Sequence, residues 1–562
     1  MQKNLAPENL KIKTWSNIKP YFEKILEYKF KSKSDLLYWL KQVSNLKEQT
    51  SEEYAKKYVK MTADTTNEKN SKAYKYYIKS IVPKLDIYAN EINKKLYGCI
   101  FIKNLRDVRY KILIKGVAGQ IKLFRKKNVS LANKDEVLKS KYQEIQGKTT
   151  INHIGRELTL SQSSKLLLDP NRKLRKEVYL KISKRRLKDK EKLNSLLTRQ
   201  IEIRTKIALN SGFKNYRDYA HIAKERFDYS VEDVLKFHDS IEKEAVPLLK
   251  SVLELRKKSL GFKILKPWDA GVDINLKPPL KPFYKSEQLI KKTITALNKI
   301  DPFFGRCIQK MNKANQLDLE SRKGKAPGGY NMPFYKSGIP FIFMNASGSQ
   351  KDVRTIMHEA GHAIHSFLTK DLYLINFKQF PMEAAEFASM SMELFSMDYW
   401  NAFYKNRNDL KRAKFEQIED LITTLPWIAT IDYFQHLLYT KPNHSIKERE
   451  EFWNNSLARF SANTINWKGL KTYKDIFWQK QLHIFEAPFY YIEYAIAQLG
   501  AIAIWKNYKE NRTEAIKKYK KALSLGYTTT LFKIYETAGI KFSFKQEYIK
   551  ELMSFVGAQL KK

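Results

Sequence analysis

The stretch TIMHEAGHAIHSF, residues 355–367, places two histidines and a glutamate in the spacing H-E-x-x-H. Residues four apart on a helix lie on the same face, so His358 and His362 can bind one metal ion together. Glu359 follows the first histidine and can reach a water molecule at the open position of that ion. With 9 histidines in 562 residues, chance produces this spacing in roughly one such chain in a hundred. The stretch therefore predicts a zinc site with hydrolytic chemistry.

A zinc site of this type takes a third protein ligand and leaves the fourth position to water. The metzincin spacing would place a histidine six residues after His362, where this chain has Leu368. His365 lies about one helical turn after His362 and cannot easily bend round to complete a tetrahedron. We interpret it as a histidine that packs in the core or supports a ligand, so the third ligand should come from another helix.

The apolar stretch FPMEAAEFASMSMELF, residues 380–395, contains three glutamates in a helix that otherwise looks buried. Buried carboxylates are costly unless they bind a metal or are well paired. Glu386 lies 24 residues after His362, which resembles the gluzincin arrangement, and on that resemblance we predict that Glu386 is the third ligand. Glu393, seven residues later on nearly the same face, is the predicted partner of a ligand histidine. Glu383 is the less favoured ligand, and its other interpretation is a charge near the start of the helix.

The elements that must position these residues are mainly helices. Apolar residues recur with helical spacing over most of the chain, and only 20 Gly and 17 Pro interrupt it. The stretch IPFIFMN, residues 339–345, predicts a short buried strand directly before the helix that carries H-E-x-x-H. We expect a mainly α fold with a small β-sheet near the site.

The domain organisation is less clearly marked than the site. Gly147 and the alternating residues after it predict a short hairpin near 142–160. The Pro-rich stretch 265–288 is the clearest break, but we expect its Trp268, Phe283 and Tyr284 to be buried, so we do not interpret it as a linker. We divide the chain into an N-terminal helical region, 1–193, and a catalytic region, 194–562.

Composition bears on partners and location. Lys+Arg 104 against Asp+Glu 59 gives a net charge of +45, which raises the alternative of a basic helical nucleic-acid-binding protein with a vestigial H-E-x-x-H. The lysines recur almost evenly along the chain, however, and no nucleic-acid-binding motif accompanies them. The longest apolar run, residues 494–505, is too short to cross a bilayer. Cys99 and Cys307 read as reduced, buried thiols, so we expect a cytoplasmic protein.

The motifs together resemble a known family. MHEAGHAIH with EAAEFASMSMELF is similar to the oligoendopeptidase F branch of the thimet-oligopeptidase family of zinc peptidases, and Glu386 lies 24 residues after His362, as in gluzincins. The segments SRKGKAPGGYNMP, IDYFQHLLYTKPNHSIKERE and HIFEAPFYYIEYAIAQLGA resemble further motifs of the family. The resemblance is specific from about residue 194 to the C-terminus.

The resemblance implies roles for residues that the local pattern alone would assign to the core. His483 and Tyr494 match family residues that help hold the substrate and its tetrahedral intermediate, and Tyr491 or its neighbour Tyr490 matches another. A phenol O–H directed at a developing oxyanion is a sound stabiliser. We expect the segment Gly328, Gly329 and Tyr330 to form a loop that closes on the peptide.

The resemblance also implies the overall function. It predicts two helical halves flanking a deep substrate channel, one Zn²⁺ at its floor, and a cytosolic endopeptidase that hydrolyses short or unfolded oligopeptides. Glu359 would act as the general base. We expect a monomer or small homo-oligomer with no specific nucleic acid and no membrane as partner. A zinc carboxypeptidase is the alternative that the sequence leaves open.

Overall fold

The computed structural model describes residues 4–560, which form helices over most of their length. The first twelve α-helices are α1 (Lys19–Glu27), α2 (Lys33–Ala63), α3 (Glu68–Tyr76), α4 (Val82–Tyr97), α5 (Val108–Leu123), α6 (Lys126–Gly147), α7 (Leu160–Leu166), α8 (Arg172–Leu187), α9 (Lys190–Asn210), α10 (Tyr216–Ala223), α11 (Val231–Ser259) and α12 (Ser286–Ile300). The others are α13 (Pro302–Lys313), α14 (Gln350–Thr369), α15 (Ile375–Lys378), α16 (Met382–Ser396), α17 (Arg407–Thr440), α18 (Ile446–Phe460), α19 (Lys471–Asp475), α20 (Leu482–Glu486), α21 (Tyr491–Glu510), α22 (Arg512–Ser524), α23 (Leu531–Thr537) and α24 (Gln546–Gln559). The predicted mainly α fold is confirmed.

Two small sheets interrupt the helices. Strands β1 (Thr150–His153) and β2 (Arg156–Thr159) form an antiparallel hairpin, inside the region where the sequence predicts one. Strands β3 (Leu317–Glu320), β4 (Tyr330–Met332) and β5 (Phe341–Ala346) form a sheet in the order β3-β5-β4. The central strand β5 is parallel to β3 and antiparallel to β4, so β4 lies at an edge.

The chain divides into two compact units, and each is built from three separate segments. The first unit comprises Met1–Lys126, Lys281–Lys411 and Gly500–Phe542, and the second comprises Lys127–Leu280, Arg412–Leu499 and Ser543–Lys562. The first contains the three-stranded sheet and the pair α14 and α16. The second contains the β1–β2 hairpin and α20. The division of function after residue 193 stays a prediction.

Each unit has its own apolar core, since large aromatic residues are fully buried in both. Trp39 belongs to the core of the first unit, and Trp453 and Trp478 belong to the core of the second. Both cysteines are buried free thiols. No helix in the described range 4–560 is both long enough and apolar enough to cross a membrane.

The Pro-rich stretch before α12 is folded against the protein, with one exception to the expected burial. Trp268 and Phe283 are buried, but Tyr284 is 82% exposed. The expectation for Tyr284 was therefore wrong. Its backbone N–H donates to Gln288 Oε1 at 2.9 Å at the start of α12, and its ring is left in solvent.

Candidate metal centre

The start of α14 fixes where the histidines of the motif fall. Strand β5 is apolar and almost entirely buried, and the chain leaves it through Ser347 and Gly348. Ser349 caps the helix: its Oγ accepts from the N–H of Asp352 at 3.3 Å. The carboxylate of Asp352 accepts in return from the backbone N–H groups of Ser347 and Ser349, both at 2.8 Å. This reciprocal capping holds the end of the strand and the first turn of the helix in one geometry.

Gly361 sets how closely α14 and α16 approach. A Cβ built on Gly361 would lie 2.5 Å from the Cα of Ser389 and 2.7 Å from the carbonyl oxygen of Ala388. Both contacts are with the backbone of α16, which cannot move aside as a flexible side chain could. Glu386 lies on α16 just before these two residues. The missing side chain of Gly361 therefore lets α16 bring Glu386 close to the histidines of α14.

We expect Gly361→Ala to destabilise the protein by about 1–3 kcal/mol or more, because a methyl group would overpack the contact between the two helices. The same displacement should weaken zinc retention. Urea unfolding and zinc content measure the two effects. Gly147→Ala is the matched control, because its added Cβ would meet nothing within 4 Å at the end of α6. A Gly361→Ala protein as stable and as zinc-loaded as wild type would contradict this account of the contact.

Three side chains from these two helices converge on one point. Glu386 Oε2 lies 3.3 Å from His358 Nε2 and 3.6 Å from His362 Nε2. One ligand atom from each of these residues lies within 4.8 Å of the others. Two imidazole nitrogens and one carboxylate oxygen are donors that suit a divalent transition metal. These residues could therefore hold a metal ion.

The neighbours of the ligands leave the correct atoms facing the centre. His358 Nδ1 lies 2.8 Å from Glu393 Oε1, so it carries the proton and leaves Nε2 as a lone-pair donor. His362 hydrogen-bonds to the backbone of Ala385. Ser389 Oγ donates to Glu386 Oε2 at 3.1 Å and holds that carboxylate in place. The donor set thus fits a bound metal ion.

Glu359 is buried beside this centre but is not one of the three converging residues. Its Oε2 is shielded from solvent and has no hydrogen-bond partner among the described residues. Burial raises the pKa of Glu359 to about 7, and the negative charges of Glu386 and Glu393 act in the same direction, while His358 opposes them. A carboxylate poised near neutral pH can take up and release a proton, which is what a general base requires.

We expect Glu393→Gln to lower zinc affinity by about 10- to 100-fold, the usual effect of losing the partner of a ligand histidine. Glutamine keeps an acceptor for His358 Nδ1–H but removes the charge that makes Nε2 a stronger ligand. Competition with a chelator of known affinity measures the change. Glu510→Gln, at an exposed position, is the charge-matched control. Unchanged affinity in Glu393→Gln would show that the hydrogen bond does not support the ligand.

His365 and Glu383, the other histidine and glutamate considered near the motif, are not among the three converging residues. His365 is 1% exposed, and its ring stacks on Phe380 at a centroid distance of 3.5 Å. Burial lowers the pKa of His365 well below its ordinary value, and a hydrogen bond to the backbone of Leu523 only partly opposes this. Of the two interpretations left open by the sequence, the core histidine fits. Glu383 is buried in the first turn of α16 but does not belong to the converging group.

The glycine-rich segment before β5 lies against the metal-centre helix. Gly328 has a φ of +100°, and its carbonyl accepts from Asn345 Nδ2 at 2.9 Å. A Cβ on Gly329 would lie 3.5 Å from Thr355 Cγ2, one turn before His358. Tyr330 begins β4 and stacks on Phe343 at 4.8 Å, and its hydroxyl hydrogen-bonds to Thr62 at 2.5 Å. That this segment closes on a substrate stays a prediction.

The second unit gathers the predicted late residues into one aromatic cluster. The His483 ring lies 4.6 Å from the ring of Tyr491, 5.8 Å from Tyr494 and 6.0 Å from Tyr490. Gln481 Nε2 contacts His483 Nδ1 at 2.7 Å. Burial raises the pKa of Tyr491 to about 12, so its hydroxyl keeps its proton at neutral pH. The structure thus brings these residues together, and their role toward a substrate stays a prediction.

Two residues that support these groups were missed by sequence reasoning. Gly361 was read only as an intervening residue of the motif, although a glycine inside a helix costs about 1 kcal/mol relative to alanine and so indicates a packing need. Gln481 carries no comparable signal, because a glutamine two residues before a histidine does not by itself indicate a contact. Its contact with His483 emerges only from the turn that precedes α20.

Comparison with known proteins places these features in a family. The model of peptidase family M3 matches residues 165–554, and the model of the peptidase M3 N-terminal domain matches residues 7–124. An oligoendopeptidase F homolog of Borreliella burgdorferi is 25% identical over 379 residues, which cover 66% of this chain and 62% of the relative. The oligopeptidase PepF of Bacillus subtilis is 22% identical over 394 residues, 68% of this chain and 56% of the relative. These alignments thus span less than two thirds of the relatives' lengths.

Solved structures match over nearly the whole chain. A structure of PZ peptidase A with an inhibitor superimposes with a TM-score of 0.92 and 25% identity, covering 98% of both chains. A structure of a protein described as a putative oligoendopeptidase F gives a TM-score of 0.93 at 23% identity, covering 100% of this chain and 99% of the other. The matched models together span most of both units and include the metal-centre helices. The chain therefore belongs to peptidase family M3.

Proposed function

We propose that this protein is a zinc-dependent endopeptidase that hydrolyses short or unfolded oligopeptides in the cytosol. One observation carries the proposal: Glu386 Oε2 lies 3.3 Å and 3.6 Å from the Nε2 atoms of His358 and His362. A vestigial motif would have no reason to keep a buried carboxylate at this point. Membership of peptidase family M3 supports the same function.

The residues of the first unit would divide the work of hydrolysis. His358, His362 and Glu386 would hold the ion, and Glu393 would orient His358. When bound there, zinc supplies a Lewis acid that lowers the pKa of a water molecule and polarises the scissile carbonyl. Glu359 would take the proton from the attacking water and pass it to the leaving amine.

The edge strand β4 offers a way to bind an extended peptide. It pairs with β5 on one side only, so backbone groups on its other side can pair with a substrate strand. Gly329 directly before it lies close to Thr355, and no side chain on Gly329 obstructs an approach. Main-chain pairing of this kind favours chains that are short or unfolded, because a folded protein cannot present a free extended segment.

We expect Tyr494→Phe to lower kcat by about 10²- to 10³-fold with little change in KM, because a donor to the developing oxyanion acts mainly in the transition state. Comparing Tyr490→Phe with Tyr491→Phe should show which of these neighbours shares the role. Tyr97→Phe, whose ring is 55% exposed, is the control. Full activity in Tyr494→Phe would remove this tyrosine from the proposal.

Product analysis tests the endopeptidase assignment directly. Zinc-loaded protein is incubated with an internally quenched peptide in two forms, one with free termini and one acetylated and amidated. We expect internal cleavage of both forms, loss of activity with a chelator and recovery with zinc. A carboxypeptidase would act on the free form alone and release single residues from its end. Absence of any cleavage in the zinc-loaded protein would contradict the proposed function.

A further inference from the structure

A small cleft in the second unit is lined by two cationic side chains. It lies between the end of α6, the end of α8 and the turn formed by Phe477–Lys480. Arg186 of α8 and Lys480 both line it. The positive charge of Arg186 lowers the pKa of Lys480, so the two cations are close enough to repel each other. Two like charges in a partly buried cleft are unfavourable unless an anion accompanies them.

Arg186 has no acceptor for its guanidinium among residues 4–560. Its guanidinium makes no hydrogen bond or ion pair with any residue of the described range, and its Nε is shielded from solvent. An arginine carries five N–H donors in a planar fork and is nearly always paired when it is buried. Leaving its shielded Nε–H donor unsatisfied costs free energy. Arg186 is therefore a candidate binding group for an anion.

The Lys480 ammonium group likewise has no anionic partner among the described residues. Its Nζ lies 3.5 Å from the ring centroid of Phe477 and 5.2 Å from that of Trp427. Within residues 4–560 no carboxylate lies within ion-pair distance of it. Burial, followed by the charge of Arg186, lowers its pKa to about 7. The aromatic rings stabilise the ammonium group in part, but they supply no counter-charge.

The carboxylate in the lining does not neutralise these cations. Asp189 is 7% exposed and pairs with Arg185, the residue before Arg186 on α8. Gln479 also lines the cleft, and its Nε2 donates to the backbone of Lys190 at 3.1 Å. Asp189 and Gln479 thus have other partners, while Arg186 and Lys480 line the same cleft.

We propose that Arg186 and Lys480 bind a small oxyanion in this cleft. The arginine fork matches two oxygens of a phosphoryl or carboxylate group, and the ammonium group supplies a further charged contact. The oxyanion comes from inorganic phosphate or a phosphorylated metabolite, or from the free carboxylate of a peptide. The cleft contains none of the proposed metal ligands, and the proposal does not depend on the proposed function.

The occupied cleft would also support the His483 cluster. Lys480 precedes Gln481, whose side chain contacts His483 Nδ1 at 2.7 Å and accepts from Trp427 Nε1 at 3.3 Å. Trp427 is one of the two rings beneath the Lys480 ammonium group. An anion that anchors Lys480 therefore restrains the residues that hold His483.

Isothermal titration of the full zinc-loaded chain tests the proposal at constant ionic strength in chloride. The probes are inorganic phosphate, an N-acetylated tripeptide with a free carboxylate, and the same tripeptide as its amide. We expect one of the two anionic probes to bind at a single site with a Kd below about 1 mM, while the amide does not bind. Binding of phosphate alone identifies a phosphoryl ligand, and binding of the acid alone identifies a peptide carboxylate.

Four variants locate the binding. Arg186→Gln and Lys480→Met should each weaken it at least tenfold, whereas Lys184→Met, at an exposed position on α8, should leave it unchanged. Arg186→Lys keeps the charge and covers the case in which Arg186→Gln does not fold. Since the unpaired cations cost stability, Lys480→Met should melt at the same or a higher temperature than wild type without phosphate. Absence of binding by wild type, or binding by both Arg186→Gln and Lys480→Met as tight as that of wild type, would overturn the proposal.

Discussion

Replacing Glu359 with glutamine is expected to reduce kcat for peptide hydrolysis by about 10²- to 10⁴-fold, the usual contribution of a general base. An amide of the same shape cannot accept the proton of the attacking water. Zinc content should stay at one ion per chain, because Glu359 is not among the three converging residues. A quenched-peptide assay and metal analysis on the same preparation measure both quantities.

Measuring activity and zinc content of Glu359→Gln together distinguishes a general base from a metal ligand. Loss of zinc together with activity would make Glu359 a ligand, contrary to its place outside the converging group. Full activity with zinc in place would remove it from the chemistry altogether. Removing a buried carboxylate with a pKa of about 7 should also stabilise the fold slightly or leave it unchanged. A melting curve therefore separates lost chemistry from lost structure.

Replacing Glu386 with glutamine is expected to weaken zinc binding more than about 100-fold, the upper end of what loss of a supporting residue produces. Two imidazoles alone leave the ion one protein ligand short of a catalytic zinc site. Activity should fall in proportion to the bound metal. Competition with a chelator of known affinity gives the change in affinity, and excess zinc should restore only part of the activity.

Glu383 provides the matched control for this prediction. It lies on the same helix three residues earlier and is equally buried, at 2% exposure for both residues, yet it is outside the converging group. Glu383→Gln should retain zinc at wild-type affinity. If Glu383→Gln loses zinc and Glu386→Gln keeps it, the assignment of the third ligand is wrong.

The metal centre could be predicted largely because it follows simple spacings. Residues four apart on α14 share a face, so the histidine pair was readable from sequence alone. The carboxylates of α16 were conspicuous because they interrupt an otherwise apolar helix. The choice of Glu386 over Glu383 needed the spacing of a known family. The strand before α14 was readable because β5 is a short apolar run bounded by turn residues.

Other features depend on contacts that sequence patterns do not encode. The sequence left His365 open between two roles, and its stacking on Phe380 is the contact that fits the role in the core. Tyr284 was expected to be buried because it is aromatic, but the direction of an irregular loop is not set by hydrophobicity. Arg186 and Lys480 lie about 300 residues apart, and a lack of partners becomes visible only when their surroundings are known.

The same limit applies to the organisation of the chain. A boundary drawn along the sequence assumes that each domain is continuous, whereas both units here consist of three segments. Helices α17 and α21 each begin in one unit and end in the other. Nothing in helical periodicity marks a crossing within a continuous helix, because the apolar pattern continues through it.

The most direct test of the central claim is a zinc-edge anomalous diffraction map of the zinc-loaded protein. We predict a single strong peak about 2.0–2.2 Å from His358 Nε2, His362 Nε2 and an oxygen of Glu386, the distances that zinc adopts with these donors. A peak that excludes Glu386, or one located at other residues, would contradict the account.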